Sequence, residues 1–371
     1  MLKKMDKPLL IISILLLIIG LIMIFSASNV TSFMKYKVTP YHFFNRQLFF
    51  LGVGLFISVV MLFFNTKTYG YVSWIISLVL IGLLVLVLFY GKLINQARSW
   101  IEIMGIQFQP SEFVKIASIV WMSHYISIKK NNGFKSYLLL FGVILTNTIL
   151  ILLQPDLGTA IIYLSIIFIM FLSCPISSKV KKRIFIIAIV GILGVILLLM
   201  NNGIQVFFER QLSRFDFRNP CSEEKFYSTG TQVCNGYIAF NNGGLTGLGL
   251  GNSTQKYLYL PEAYTDFIFA IITEELGFLG ASSILLMIFL VLWRIFLISK
   301  RSNDNMGRLM CYGIFWYILL HTIINLGGVM GLMPLTGVPL PFMSYGGSYL
   351  ICLIVSLTIV QKVCIEAKEQ K

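Results

Sequence analysis

The stretch YLYLPEAYTDFIFAIITEELGFLG, residues 257–280, is apolar enough over most of its length to lie in a bilayer, yet it carries Asp266 near its start and Glu274 and Glu275 further in. An Asp at the centre of a membrane helix costs roughly 2.5–3.5 kcal/mol on insertion scales. Charged groups within a span face a bundle interior or a wet cavity. The stretch therefore predicts a polar pocket inside a membrane bundle, and the rest of the chain must supply the other walls.

The composition agrees. The 371 residues are 57% hydrophobic and 12% charged, with a mean hydropathy of +0.85; a soluble domain is about a quarter charged. A span needs about 20 apolar residues. Ten runs qualify: 9–28, 47–65, 70–90, 111–128, 136–153, 156–175, 184–201, 265–298, 309–332 and 345–364. The fourth is the most polar, with Glu112, Lys115 and His124, and the eighth is long enough to bend or to run past the bilayer. The first follows MLKKMDK; it is too long for a signal-peptide core and leads to no convincing cleavage site, so it reads as a first helix. The expected fold class is all-α, a polytopic bundle of about ten helices. No internal repeat or low-complexity tract divides it.

The net charge of +14 does not indicate nucleic acid. No basic helix is interleaved with aromatics, and the Lys and Arg residues cluster at the ends of apolar runs, as topology signals do. One side collects Lys3, Lys4, Lys7, Lys67, Lys129, Lys130, Lys135, Lys179–Arg183, Lys300, Arg301, Arg308, Lys362, Lys368 and Lys371. The short loops of the other side hold only Lys35, Lys37, Arg46, Lys92 and Arg98. The positive-inside rule puts both termini in the cytoplasm. The outside then receives residues 95–113, a long loop at about 202–264, and PLTGVPLPFMSYGGS at 334–348.

Asp156, Asp266, Arg98, Glu112 and Lys115 all fall near the outer interface, and Glu274 and Glu275 lie about two turns deeper. Each has a plainer reading. Thr265 and Asp266 suit a helix N-cap, as does Asp156 behind Pro155. Glu274 or Glu275 reads better as a structural clasp, with Lys115 or a neighbouring helix, than as a reactive group. Glu112 and Lys115, three apart, share a helix face and would pair. Arg98 and Lys115 suit interfacial snorkelling. His124 and His321 are isolated and receive no role. The Gly-rich NNGGLTGLGLGNS, 241–253, lacks the Lys-Ser/Thr pair and strand–helix setting of a phosphate loop, so its glycines point to tight turns or close approach. Of six cysteines, four lie in or beside apolar segments without metal-ligand spacing; Cys221 and Cys234 share one polar loop, where a disulfide and two free thiols fit equally.

Several segments, in order, resemble the SEDS family (shape, elongation, division and sporulation), the FtsW/RodA/SpoVE proteins of bacterial wall synthesis. They are GLIMIFSAS at 20–28, FFNRQLFFLGVG at 43–54, ARSWI at 97–101, QPSEFVK at 109–115, LLQPDLGTA at 152–160, residues 243–280, and GLMPLTGVPLPFMSYGGS at 331–348. NSTQKYLYLPEA is closer to the FtsW/SpoVE branch. Residues 215–236 depart from the family in carrying two cysteines. The resemblance implies one integral-membrane domain over 1–371 in the bacterial cytoplasmic membrane. It implies a peptidoglycan glycosyltransferase that polymerises lipid II at the outer face beside a class B penicillin-binding protein.

In that reaction a sugar hydroxyl of one lipid II displaces undecaprenyl pyrophosphate from the next, with inversion. A carboxylate can serve as base. The leaving group needs cationic stabilisation, from Arg, Lys or a divalent metal such as Mg or Mn. The family's essential acid falls in TDFIFA, so Asp266 is the expected general base. Arg98, Lys115 and Lys256 are the expected cations; Glu112, Asp156, Glu262 and Ser344, all in matched segments, complete the expected substrate-binding set. The competing readings are a lipid II flippase, which needs a polar path across the whole membrane, and a scaffold that recruits a penicillin-binding protein.

Overall fold

The structure, a computed structural model, describes residues 2–94, 97–103, 105–129, 134–174, 176–183, 186, 219–226 and 230–369. Six helices come first: α1 (Lys7–Met34), α2 (His42–Leu62), α3 (Thr66–Tyr90), α4 (Pro110–Ile128), α5 (Leu138–Leu153) and α6 (Leu157–Ser173). After α7 (Thr231–Gly243) come α8 (Ile268–Arg301), α9 (Asn305–Val329) and α10 (Gly347–Glu369). These account for nine of the predicted spans. The remaining one, 184–201, lies outside the described residues apart from Ile186, as do residues 202–218 and 227–229 of the outer loop.

The helices invert the amphipathic rule of soluble proteins. On α1 the buried side carries Ser13, Gly20, Ser26 and Ala27, whereas Ile11, Ile14, Ile18 and Ile22 are exposed. On α2, Gln47, Gly54 and Ser58 turn inward and Phe49, Leu55 and Phe56 outward. Small residues let backbones approach, and large apolar ones meet lipid. Gly20 shows how close: a Cβ there would stand 2.1 Å from the carbonyl oxygen of Phe342. Seven helical segments are long and apolar enough to cross a membrane, and α6 is a shorter apolar one. The chain is a multi-pass membrane protein. α10 runs through the middle, buried on most sides against α2, α4, α8 and α9. The polar α4 is wrapped by α3 and α9, which hide Glu112 and Lys115 from lipid.

The connection between α3 and α4, which includes most of the expected outer segment 95–113, is a three-stranded antiparallel meander: β1 (Lys92–Ile94), β2 (Ala97–Ile103) and β3 (Ile106–Phe108). Alternation in RSWIEI has strand period, and Gly105 supplies a φ of +77° between β2 and β3, which pair Glu102 with Gln107.

The long α8 is broken. Gly277 has φ +69° and ψ −177°, which splits it into residues 268–276 and 278–301. The Gly-rich loop fills the break. Leu248 and Gly249 N–H donate to the carbonyls of Glu274 and Glu275 (both 3.0 Å), and Phe278 N–H donates to Gly244 O (2.9 Å). Interrupted backbone at membrane depth is tolerated when protein satisfies it in this way. At the far end of the bundle, Asp6 caps α1 by accepting from Leu9 N (3.0 Å) and ties it to Arg294 of α8 and Gln361 of α10.

Candidate active site

A cavity of about 1380 Å³ opens at the end of the bundle that carries the meander and α7. Its walls come from the start of α2, from β2 and β3, from the starts of α4 and α6, from Gly230–Val233, and from residues 261–266, 335–339 and 345–349. Among the described residues, four carboxylates line it, Glu112, Asp156, Glu262 and Asp266, against one guanidinium, Arg46. Exposed Tyr36 and Phe49 on its rim give it an apolar side as well.

Asp266 stands just ahead of α8, whose N-cap is Phe267. Its side chain caps nothing, so the N-cap reading fails and the carboxylate is left free to face the cavity. Thr265 Oγ1 lies 3.1 Å from Asp266 Oδ1 and donates to Glu262 Oε2 at 2.8 Å, which gathers both acids around one hydroxyl. Glu262 has φ +55° and accepts from Thr265 and Phe267 N–H, so a tight turn presents the pair. Burial, and then the charge of Glu262, push the Asp266 carboxyl up to about 7, against the lowering pull of its hydrogen bonds.

The turn is held from behind. Asn325 of α9 donates through Nδ2 to the main-chain carbonyls of Asp266 (2.7 Å) and Val338 (2.8 Å). Tyr345 N–H donates to Tyr264 O (3.0 Å), and Phe43, Tyr264 and Tyr345 cluster with centroids 4.5–5.8 Å apart. Burial raises the Tyr345 hydroxyl and the adjacent Arg46 pulls it back, which places that guanidinium at the cavity wall.

The other expected residues separate into two groups. Asp156 caps α6 through Thr159 N (3.1 Å) and accepts from Gln109 Nε2 (3.0 Å) while lining the cavity. Glu112 takes Lys115 Nζ on Oε1 (2.7 Å); its Oε2 has no partner, and the residue lines the cavity. The expected cations are elsewhere. Arg98 is exposed on β2 and off the cavity lining. Lys115 is fully buried between Glu112 and His321 Nε2 (3.0 Å), over the ring of Tyr317. Lys256 is buried against Glu275 Oε1 (3.0 Å), Gly251 O (2.6 Å) and Ser26 Oγ (3.4 Å). Long apolar stems carry both ammonium groups inward to carboxylates, where charge pairing offsets burial. Ser344 is buried and accepts from Leu340 N (2.8 Å), closing a turn behind the cavity without lining it.

Glu274 and Glu275 form the clasp. Glu275 accepts from Ser26 and Lys256; Glu274 accepts from Asn242 Nδ2 (2.9 Å), Thr254 Oγ1 (2.7 Å), Gln255 N (3.2 Å) and Ser253. Cys221 and Cys234 are disulfide-bonded, joining residues 219–226 to α7 beside the cavity wall. The residue that sequence reasoning passed over is Arg46. Its signal was its place three residues after Phe43 and four before Phe50, both buried, on one face of α2.

The sequence profile of the FtsW/RodA/SpoVE family, described as "Cell cycle protein", matches residues 7–369. The chain is 38% identical over 379 aligned residues to the probable peptidoglycan glycosyltransferase FtsW of Bacillus subtilis (strain 168), covering 99% of this chain and 92% of that protein. It is 36% identical to stage V sporulation protein E of the same organism, over 96% of each. Its fold matches a chain of a peptidoglycan synthase complex, described for the structural coordination of polymerization and crosslinking, with a TM-score of 0.74, 25% identity and 97% of each chain covered. It also matches the rod shape determining protein RodA of Thermus thermophilus, with a TM-score of 0.68, 24% identity, and 97% of this chain and 96% of that one covered.

Proposed function

The chain belongs to the FtsW/RodA/SpoVE family, and from that premise we infer that it is a peptidoglycan glycosyltransferase that polymerises lipid II, with Asp266 as general base. The observation that carries the assignment is a carboxylate, raised toward neutrality, on the wall of a large polar cavity. A base with its pKa near the working pH balances ionised fraction against proton affinity. Asp266 takes the proton of the acceptor hydroxyl as that oxygen attacks the anomeric carbon; the bond to undecaprenyl pyrophosphate breaks, and its electrons leave with the pyrophosphate.

Arg46 is the cation that meets the departing pyrophosphate; it replaces Arg98, Lys115 and Lys256 in that role. The carboxylate of Asp156, on the cavity wall, accepts from sugar hydroxyls or peptide N–H groups, and the buried Glu112 holds Lys115 behind it. Among the described residues no three His, Cys, Asp or Glu side chains gather as a metal cluster. One carboxylate with substrate phosphate oxygens is a magnesium-type donor set, and Glu262 would hold a divalent cation in that way, leaving Asp266 to take the proton. Such an ion would supply charge neutralisation at the pyrophosphate.

The cavity faces the outer side of the bacterial cytoplasmic membrane, with both termini cytoplasmic. This orientation is supported by the basic loops at the opposite end and by the disulfide at the cavity end. The partner is a class B penicillin-binding protein, in keeping with the complex to which a chain of similar fold belongs. A flippase reading is weakened by Glu274 and Glu275: the deeper acids, which a through-membrane path would use, are consumed in the clasp and do not line the cavity.

The test is polymerisation of lipid II by purified protein, with and without partner and with divalent ions varied. Asp266→Asn should lose about 10²–10⁴-fold in rate while still co-purifying with its partner. Full activity in that variant would end the assignment, and loss of partner binding would favour a scaffold.

A further inference from the structure

A second pocket lies at the opposite end of the bundle, where α1 starts and α8 and α10 finish. It holds about 430 Å³. Lys3, Lys7, Arg294, Arg301 and Lys368 line it, with Asp6 as the sole carboxylate among the described residues, over a floor of Met5, Ile298 and Cys364. Arg294 and Arg301, seven apart on α8, share a face with Ile298 between them.

The charges there are unbalanced. Arg294 is committed to Asp6 through Nε (3.1 Å) and a terminal nitrogen (2.5 Å), and Lys368 donates to Met5 O (3.2 Å). Lys3, Lys7 and Arg301 are exposed and make no hydrogen bond or ion pair among the described residues. Several cations within a Debye length of about 8 Å repel one another at physiological salt. A bound anion would relieve that repulsion, and the pocket is concave enough to seat one.

The surroundings say which anion. Over the three turns that follow Lys7, α1 exposes Ile11, Ile14 and Ile18; over the two turns that precede Arg294, α8 exposes Trp293, Phe289 and Leu286. The two helices pack against each other, so an apolar seam leads from the pocket along the bundle. A free phosphate has no use for that seam. A headgroup in the pocket with its acyl chains on the seam uses both, and Trp293 sits where interfacial aromatics sit. Basic pockets between membrane helices on the cytoplasmic side suit acidic headgroups.

We propose that this pocket binds the phosphate headgroup of an anionic phospholipid, with its acyl chains laid along the seam between α1 and α8. The three unpaired cations supply the selectivity, and Arg294 with Asp6 forms the rigid wall.

The experiment is native mass spectrometry of the delipidated full-length protein in neutral detergent. It is titrated with phosphatidylglycerol, with phosphatidylcholine and with soluble glycerol phosphate. Phosphatidylglycerol should bind at least roughly tenfold more tightly than phosphatidylcholine, and glycerol phosphate should neither bind nor compete. The combined variant Lys3→Gln, Lys7→Gln, Arg301→Gln should lose that preference at unchanged helical content, since none of the three makes a hydrogen bond or ion pair among the described residues. A control on the same side, Lys67→Gln, Lys179→Gln, Lys182→Gln, should keep it. Equal binding of both lipids, an unchanged preference in the pocket variant, loss in the control, or displacement by glycerol phosphate would each overturn the proposal.

Discussion

At the scale of single residues, the site rests on an acid kept in an unfavourable place. The raised Asp266 carboxyl means that the folded chain holds a proton more tightly than the unfolded one between the ordinary value of 3.8 and about 7. Stability contributed by this group therefore falls as pH rises through that window. Asp266→Asn should raise the thermal midpoint at pH 8 and leave it unchanged at pH 3, read by a melting assay in detergent. Activity runs the other way: polymerisation should climb with pH to a plateau above about pH 7, as the base ionises. Glu262 contributes to the shift through its negative charge, so Glu262→Gln should move the rising limb to lower pH, and an unmoved limb would count against the pairing. Asn325 touches only the main chain of Asp266. Both of its acceptors are carbonyls, which fixes the amide with nitrogen toward them. Asn325→Ala should cost on the order of 10- to 100-fold in kcat at little change in KM, and Asn325→Gln should restore part of it. The acids were legible because a carboxylate in an apolar stretch demands a reason. The cations were not, because sequence does not say which way a long basic side chain turns, and Lys115 and Lys256 turned inward to partners.

At the scale of elements, hydropathy exposed the spans because lipid imposes one length and one polarity on each of them. What it could not show is the break in α8, whose partner loop ends 24 residues or more before Gly277 in the chain and meets it only in the fold. The two strands of this joint touch through glycines. A Cβ on Gly247 would stand 2.2 Å from Glu275 O, and one on Gly277 would stand 2.4 Å from Gly247 N. Gly277→Ala should therefore unseat the loop, with about 1–3 kcal/mol from the φ alone and the clash added, seen as a lowered melting midpoint. The clasp has its own signature. Lys256→Met leaves the Glu275 carboxylate buried and unpaired, at about 3–5 kcal/mol. Adding Glu275→Gln to that variant should recover much of the loss, since the charge that lacked a partner is gone. Additive losses in this cycle would mean that the two side chains do not act as a pair. The meander was missed for a different reason: its strands are three and seven residues long, too short to register beside twenty-residue spans.

At the scale of the whole molecule, opposite ends of one bundle carry opposite chemistry: an acid-rich cavity bounded by the meander and α7, and a basic surface where the termini meet. The disulfide belongs to the first end. Cys221 and Cys234 are 13 residues apart, and the segments they join contribute Pro220 and Gly230–Val233 to the cavity wall. Closing a loop of that length restricts the unfolded chain by about 3 kcal/mol in the chain-entropy account. None of the catalytic contacts around Asp266 passes through it, since the turn is held by Asn325, Tyr264 and Tyr345. Its loss should therefore loosen substrate capture rather than chemistry. Cys221→Ser, Cys234→Ser, or treatment of the native protein with a dithiol, should raise KM for lipid II several-fold while kcat stays within about twofold. A fall in kcat at constant KM would instead place the strap in the path from the wall to the reacting carboxylate.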